Sequence, residues 1–138
     1  MDKIEWCVQF NSGISELDAE NRNLLDMINS LIEIQNAEEK DLQSLSFLLS
    51  QIQDYALRHF SHEESYMMQA HQEDFSDHKK QHIFFKKNLA TFCFDMFTNQ
   101  DETSLDSFCE YLAKWFVFHT ANFDKHIAVI YHENAPKF

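Results

Sequence analysis

Glycine and proline occur once each in this 138-residue sequence, as Gly13 and Pro136. Sheets and their tight turns draw heavily on both, so the scarcity points to long helices joined by short links. Cysteine is also sparse. Cys7, Cys93 and Cys109 are odd in number and widely spaced, which fits neither a disulfide framework nor a thiolate zinc site and sets aside an iron–sulfur cluster. A reducing cytoplasm suits such a chain. Basic residues are few, 11 against 23 acidic, for a formal charge of -12. The small clusters Lys79-Lys80 and Lys86-Lys87 make no basic face, which argues against nucleic acid as a partner. The acidic exterior repels anionic membranes, and no apolar run approaches the length of a membrane span. Met1-Asp2-Lys3-Ile4-Glu5 lacks the long apolar segment of a secretory signal.

Apolar residues are plentiful, at 44% with 14 phenylalanines. Residues 1–138 are expected to form one domain with a sizeable core. The arm up to about residue 16 reads as irregular, anchored by Trp6, Phe10 and Ile14, with Gly13 permitting a turn. A first helix is expected from Leu17 or Asp18 to Gln35. Its inward stripe is Asn21, Leu24, Leu25, Ile28, Leu31 and Ile32, with Asp18 capping it or favouring its positive end. Asn36 to Asp41 form a polar link. A second helix to about Met68 carries Leu45, Leu48, Leu49, Ile52, Ala56, His59, Glu63 and Met67 on one face. The pattern breaks over Gln69 to Ser76, where His71 falls. The third helix repeats His78, His82, Phe85, Leu89, Phe92 and Met96 at spacings of 4, 3, 4, 3 and 4. After a link over Asn99 to Thr103, Ser104 is placed to cap a fourth helix with Leu105, Phe108, Leu112, Trp115 and His119 in its seam. Ile127, Val129, Ile130 and Tyr131 continue as a tail able to dock against the bundle. His62 and Glu64 read as surface residues, and His126 and His132, in the tail, match no partner on the seam. The expected fold is all-α, an antiparallel up-down-up-down four-helix bundle with an irregular N-terminal arm.

Polar residues interrupt these stripes at matching heights. Asn21 lies near the start of helix one, His59 and Glu63 near the end of helix two, His78 and His82 near the start of helix three, and His119 near the end of helix four. On an up-down-up-down path they gather at one end. A pair four residues apart points to one place on a helix, and by itself is ordinary surface polarity. Several sets inside apolar seams are different, because a buried glutamate or an uncoordinated imidazole needs a partner. Asp124 follows His119 by five residues, about 140° around a regular helix. The two can share a target only if the helix loosens, widens or ends between them.

Four histidines and two carboxylates exceed the needs of one tetrahedral zinc. They suit iron or manganese, with Glu63 and Asp124 as natural bridges between two ions. A haem would leave the carboxylates unexplained. Asn21, on the same face, is either an ordinary amide near a helix start or a group looking into the metal cavity.

The sequence resembles the hemerythrin family, and more closely its single-domain bacterial members. The residues that carry the likeness are Trp6 with Gly13-Ile14, Asp18-Ala19-Glu20-Asn21-Arg22, His59-Phe60-Ser61-His62-Glu63-Glu64 with Met67, His78-Lys79-Lys80-Gln81-His82, and Trp115 to His119 with Asp124. The resemblance implies a four-helix bundle holding two non-haem iron ions and binding molecular oxygen, or a similar diatomic ligand, in transport, storage, delivery or sensing. It implies His78, His82 and His119 on one iron, His59 on the other, and Glu63 and Asp124 bridging with an oxo or hydroxo group. The second iron of the family takes another histidine from the first helix, and here that position is Asn21. An amide is a weaker donor than imidazole. Three outcomes follow: a pair of irons with altered oxygen chemistry, one firmly held iron only, or a substitute ligand such as His62. A scavenging enzyme acting on peroxide, nitric oxide or oxygen, and a mono-metal or structural bundle, remain alternative functions. The sequence names no protein partner.

Overall fold

A computed structural model describes residues 1–70, 75–99 and 102–133. It also leaves undescribed a few side chains within the helices, among them Met96, Ser104, Ile130 and His132; His71 lies outside the described residues altogether. Among the described residues every regular element is helical. After a short 3-10 turn at Val8–Phe10 come α1 (Ser15–Asn36), α2 (Leu42–Gln69), α3 (Phe75–Asn99) and α4 (Glu102–Phe118), then a π-helical segment His119–Asp124 and α5 (Lys125–Glu133). Helix α1 packs against α2 and α4, and α3 against α2 and α4, so the four long helices close a ring. That is the expected up-down-up-down bundle.

Local chemistry accounts for the helix limits. Asp41 caps α2, its Oδ1 accepting from the Gln43 and Ser44 amides at 3.0 and 3.4 Å. Helix α1 begins earlier than expected, at Ser15, with no side-chain cap. Asp18 therefore sits inside its first turn and reaches backwards instead. Its carboxylate accepts from the Ser12 amide and hydroxyl at 2.8 and 2.7 Å and from the Gly13 amide at 3.3 Å. Gly13, at φ 95°, makes the bend that brings those groups round. Helix α4 also starts early, at Glu102, which puts Ser104 within the first turn rather than at the cap. The arm runs along α1, where Ile4 and Asn29 exchange two hydrogen bonds of 2.8 Å. The Arg22 guanidinium lies 4.2 Å from the Trp6 ring centre, and Phe10 is buried against Phe116.

The core is in two parts. The larger cluster includes Leu24, Leu25, Ile28, Leu31 and Ile32 of α1, Leu45 to Phe60 positions of α2, Phe85, Leu89 and Phe92 of α3, and Leu105 to Phe116 positions of α4. A smaller one joins Ile14, Leu17, Met67 and Ile127. Asn21, His59, Glu63, His78, His82, His119 and Asp124, all buried, fall along every helix between positions belonging to the two clusters. A polar layer is thus enclosed between two apolar ones, where its charges are costly unless they satisfy one another or a bound ion. The tail docks through Ile127, fully buried, and through Tyr131, whose ring stands edge-on to Tyr66 at 5.0 Å. Val129 is exposed. Among the described residues no helix is long and apolar enough to cross a membrane.

Candidate metal centre

Each helix delivers its donors by its own periodicity. The i, i+4 spacing stacks His59 over Glu63 on α2 and His78 over His82 on α3. The chain between His119 and Asp124 solves the 140° problem by widening: six residues take π-helical form. With hydrogen bonds to the fifth residue on, positions five apart come to one face. His119 Nε2 then stands 3.1 Å from Asp124 Oδ1.

Two sets of donor atoms result. Glu63, His78, His82 and His119 offer atoms that all lie within 4.8 Å of one another, and so do His59, Glu63 and Asp124. Glu63 belongs to both. Its Oε2 lies 3.0 Å from His82 Nε2, 3.1 Å from His119 Nε2 and 3.6 Å from His78 Nε2. Its Oε1 lies 2.6 Å from His59 Nε2. Glu63 Oε1, His59 Nε2 and Asp124 Oδ1 are buried and face neighbours closely, yet none makes a hydrogen bond. Such close pairs of buried polar atoms without hydrogen-bond geometry are an arrangement that a bound cation, taking the place of the imidazole protons, satisfies. The donors therefore fit non-haem iron: three imidazoles and a carboxylate oxygen on one side, and one imidazole with two carboxylates on the other.

Asn21 completes the second side differently. It is 1% exposed, and its Nδ2 donates to Asp124 Oδ2 at 2.7 Å. The amide nitrogen is thereby committed to a carboxylate, and the second set has one imidazole only. His62 does not replace the missing ring. It is half exposed and turned outward, with Nδ1 at 2.5 Å from Glu20 Oε2 and 3.5 Å from Glu16 Oε1.

Supporting groups hold the rings. Glu20 Oε1 lies 3.0 Å from His59 Nδ1, the nitrogen turned away from the centre, and so fixes which nitrogen faces inward. Glu64, expected at the surface, is mostly covered, and its Oε2 lies 3.9 Å from His82 Nδ1. Phe60 stacks on His82 at 4.0 Å and 8°, and Trp115 on His119 at 4.5 Å and 12°. Helical periodicity does not point to Glu20 or Phe60 as site residues; their signal in the sequence is their place in the motifs around Asn21 and His59.

Electrostatics of the metal-free protein follow from this packing. Burial by itself would lower the affinity of His59 for a proton, but Glu63 and Glu20 outweigh it and the pKa is pushed up to about 10. For His119 burial is likewise overcome, here by Asp124 and Glu63, and the value is again about 10. Burial prevails at His82, which falls to about 4. Burial raises Asp124 to about 6, with the nearby Glu63 charge adding to the effect. Burial would also raise Glu63, but His59 and His119 hold it well below the usual carboxylate range. Two imidazolium charges thus stand beside the carboxylates in the metal-free chain.

Comparison with known proteins agrees with the geometry. The family model for the Hemerythrin HHE cation binding domain matches residues 12–129. Bacteriohemerythrin of Pseudomonas aeruginosa is 27% identical over 124 residues, covering 90% of this chain and 78% of that protein. Bacteriohemerythrin of Clostridium acetobutylicum is 23% identical, covering 87% of this chain and 95% of that one. A crystal structure of a hemerythrin with a leucine-to-tyrosine substitution superposes with a TM-score of 0.84 at 22% identity, covering 98% of this chain and 100% of the other. At that identity the superposition establishes the fold.

Proposed function

We propose that this chain, which belongs to the hemerythrin family, is a non-haem iron protein that binds molecular oxygen through a centre with one complete and one short ligand set. The assignment gives His78, His82 and His119 to the first iron and His59 to the second, with Glu63 and Asp124 shared. It treats residues 1–138 as a single metal-binding domain. Its main support is the convergence of four imidazoles and two carboxylates, three of whose buried atoms face one another without hydrogen bonds.

Iron held by these residues would supply the redox chemistry that binding of a diatomic ligand requires. The protein supplies the rest. Glu63 and Asp124 offset the positive charge of the ions. Glu20 keeps His59 Nε2 directed inward. Leu24, Ile28, Ile52 and Phe85, all buried, and the half-buried Trp115 exclude water from the polar layer.

One observation favours a second reading. Residue 21 is Asn, with its nitrogen donated to Asp124, so the His59 side has one imidazole only and its ion is the more easily lost. A chain holding one firm iron, or one whose oxygen chemistry proceeds to scavenging, is the alternative. Iron content per chain after anaerobic ferrous loading, with optical spectra before and after air, decides between them. Two irons and a reversible new band support oxygen binding. One iron without such a band ends that assignment.

A further inference from the structure

We propose that Glu16, Glu20 and His62 form a separate divalent-cation site on the outside of α1 and α2, an entry station for the ion held at His59. The argument starts with geometry. One donor atom from each of these residues lies within 4.8 Å of the others. The three belong to two packed helices: Glu16 and Glu20 are four apart on α1, and His62 is three beyond His59 on α2. Two carboxylates and an imidazole suit manganous, ferrous or zinc ions.

The site also has room and a firm wall. A cavity of about 200 Å³, only part of it enclosed, is lined by Glu16, His62, Ser65, Tyr66, Gln69 and Tyr131. The Tyr66 hydroxyl donates to Glu16 Oε2 at 2.7 Å, which fixes one carboxylate at the rim and leaves its other oxygen turned toward His62. Glu20 links the station to the interior. Its Oε2 faces His62 Nδ1 at 2.5 Å, and its Oε1 faces His59 Nδ1 at 3.0 Å. One carboxylate therefore touches both the outer cluster and the back of an inner imidazole. A chain of charge -12 gathers cations at its surface, and Glu20 joins this cluster to the one imidazole of the short ligand set.

The cation site does not depend on the iron reading; the entry role does. Manganous ion is the probe, counted per full-length chain by loss of the free-ion electron paramagnetic resonance signal. Glu16 and His62 are both about half exposed, so the E16Q/H62Q double variant is expected to keep its fold, which an unchanged circular dichroism spectrum checks. The expected result is one bound ion fewer in that variant than in the unaltered chain. Equal counts would mean that these groups make only a surface ion pair, and would overturn the site. Ferrous uptake into the inner centre is then timed by rapid mixing. A several-fold slower uptake to an unchanged final occupancy of the inner centre supports the entry role, and an unchanged rate overturns it. A His78→Ala chain serves as the separate check on the inner centre. If it holds as much iron as the unaltered chain, the iron reading fails while the manganous difference stays readable.

Discussion

Asn21 and Asp124 are joined by a 2.7 Å hydrogen bond between side chains 103 positions apart, both buried. The bond ties the first helix to the π segment across the polar layer. It also uses the amide as a donor, at the place where the family resemblance implies an imidazole ligand.

Replacing Asn21 should therefore separate structure from ligation. Asn21→His is expected to add a donor to the His59 side, and to slow the loss of the second iron to a chelator. Asn21→Leu removes the donor to Asp124 Oδ2. It should destabilise the metal-free chain by about 1–3 kcal/mol, the cost of leaving a buried acceptor unpaired. Urea unfolding measures the second effect, and a chelator time course the first.

Glu20→Gln keeps an oxygen near His59 Nδ1 but removes the charge. Losing such a supporting partner costs about 10–100-fold in metal affinity. The loss should fall on the ion at His59 and spare the one at His78, His82 and His119. Competition with a calibrated chelator would show two affinities moving apart; a uniform shift would contradict the assignment of Glu20 to one side.

The metal-free chain should lose stability as pH rises through the neutral and alkaline range. His59 and His119 have folded-state values of about 10 against an ordinary 6.5. Their contribution is fully present below 6.5 and is lost as pH climbs to about 10, because the folded state then holds protons that the unfolded state has released. His82, lowered to about 4, acts in the opposite sense at the acidic end: its contribution is present above 6.5 and lost as pH falls through about 4. Melting temperature measured from pH 6 to 10 should decline without metal. Loading at pH 7 should release protons into a weak buffer, since ligating imidazoles must give them up.

Asp41→Ala provides the contrasting case. It removes the α2 cap, at the end of that helix remote from His59 and Glu63. A loss of about 1 kcal/mol in stability with unchanged metal affinity is expected. A drop in affinity would show that the centre responds to fraying at the far end of the bundle.

Much of the centre could be read from sequence because it is written in helical periods. His78 and His82 stand in the same seam as Phe85, Leu89 and Phe92, and the structure buries all five. The same holds for Asn21 on α1 and for His59 and Glu63 on α2. The five-residue step from His119 to Asp124 required a widened helix, and a π segment is found there. Glu20, Glu64 and Asp18 were less legible. Each is an acidic residue beside a seam rather than in it, and its role depends on a partner from another segment: His59 for Glu20, His82 for Glu64, and Ser12 for Asp18. Periodicity within one helix carries no information about those pairings.

The π segment has a consequence for changes in chain length. Its wide turn holds one more residue than a regular helix would between His119 and Asp124, so Ile127 and Tyr131 follow the phase of Asp124 rather than that of position 123. A deletion of one codon within 120–123 would let an ordinary helix form with the carboxylate four places after His119, and with the docking tail still in phase. An inserted codon would swing both the carboxylate and Ile127 off the bundle axis together. The last helix thus tolerates a change of reading length in one direction and not the other.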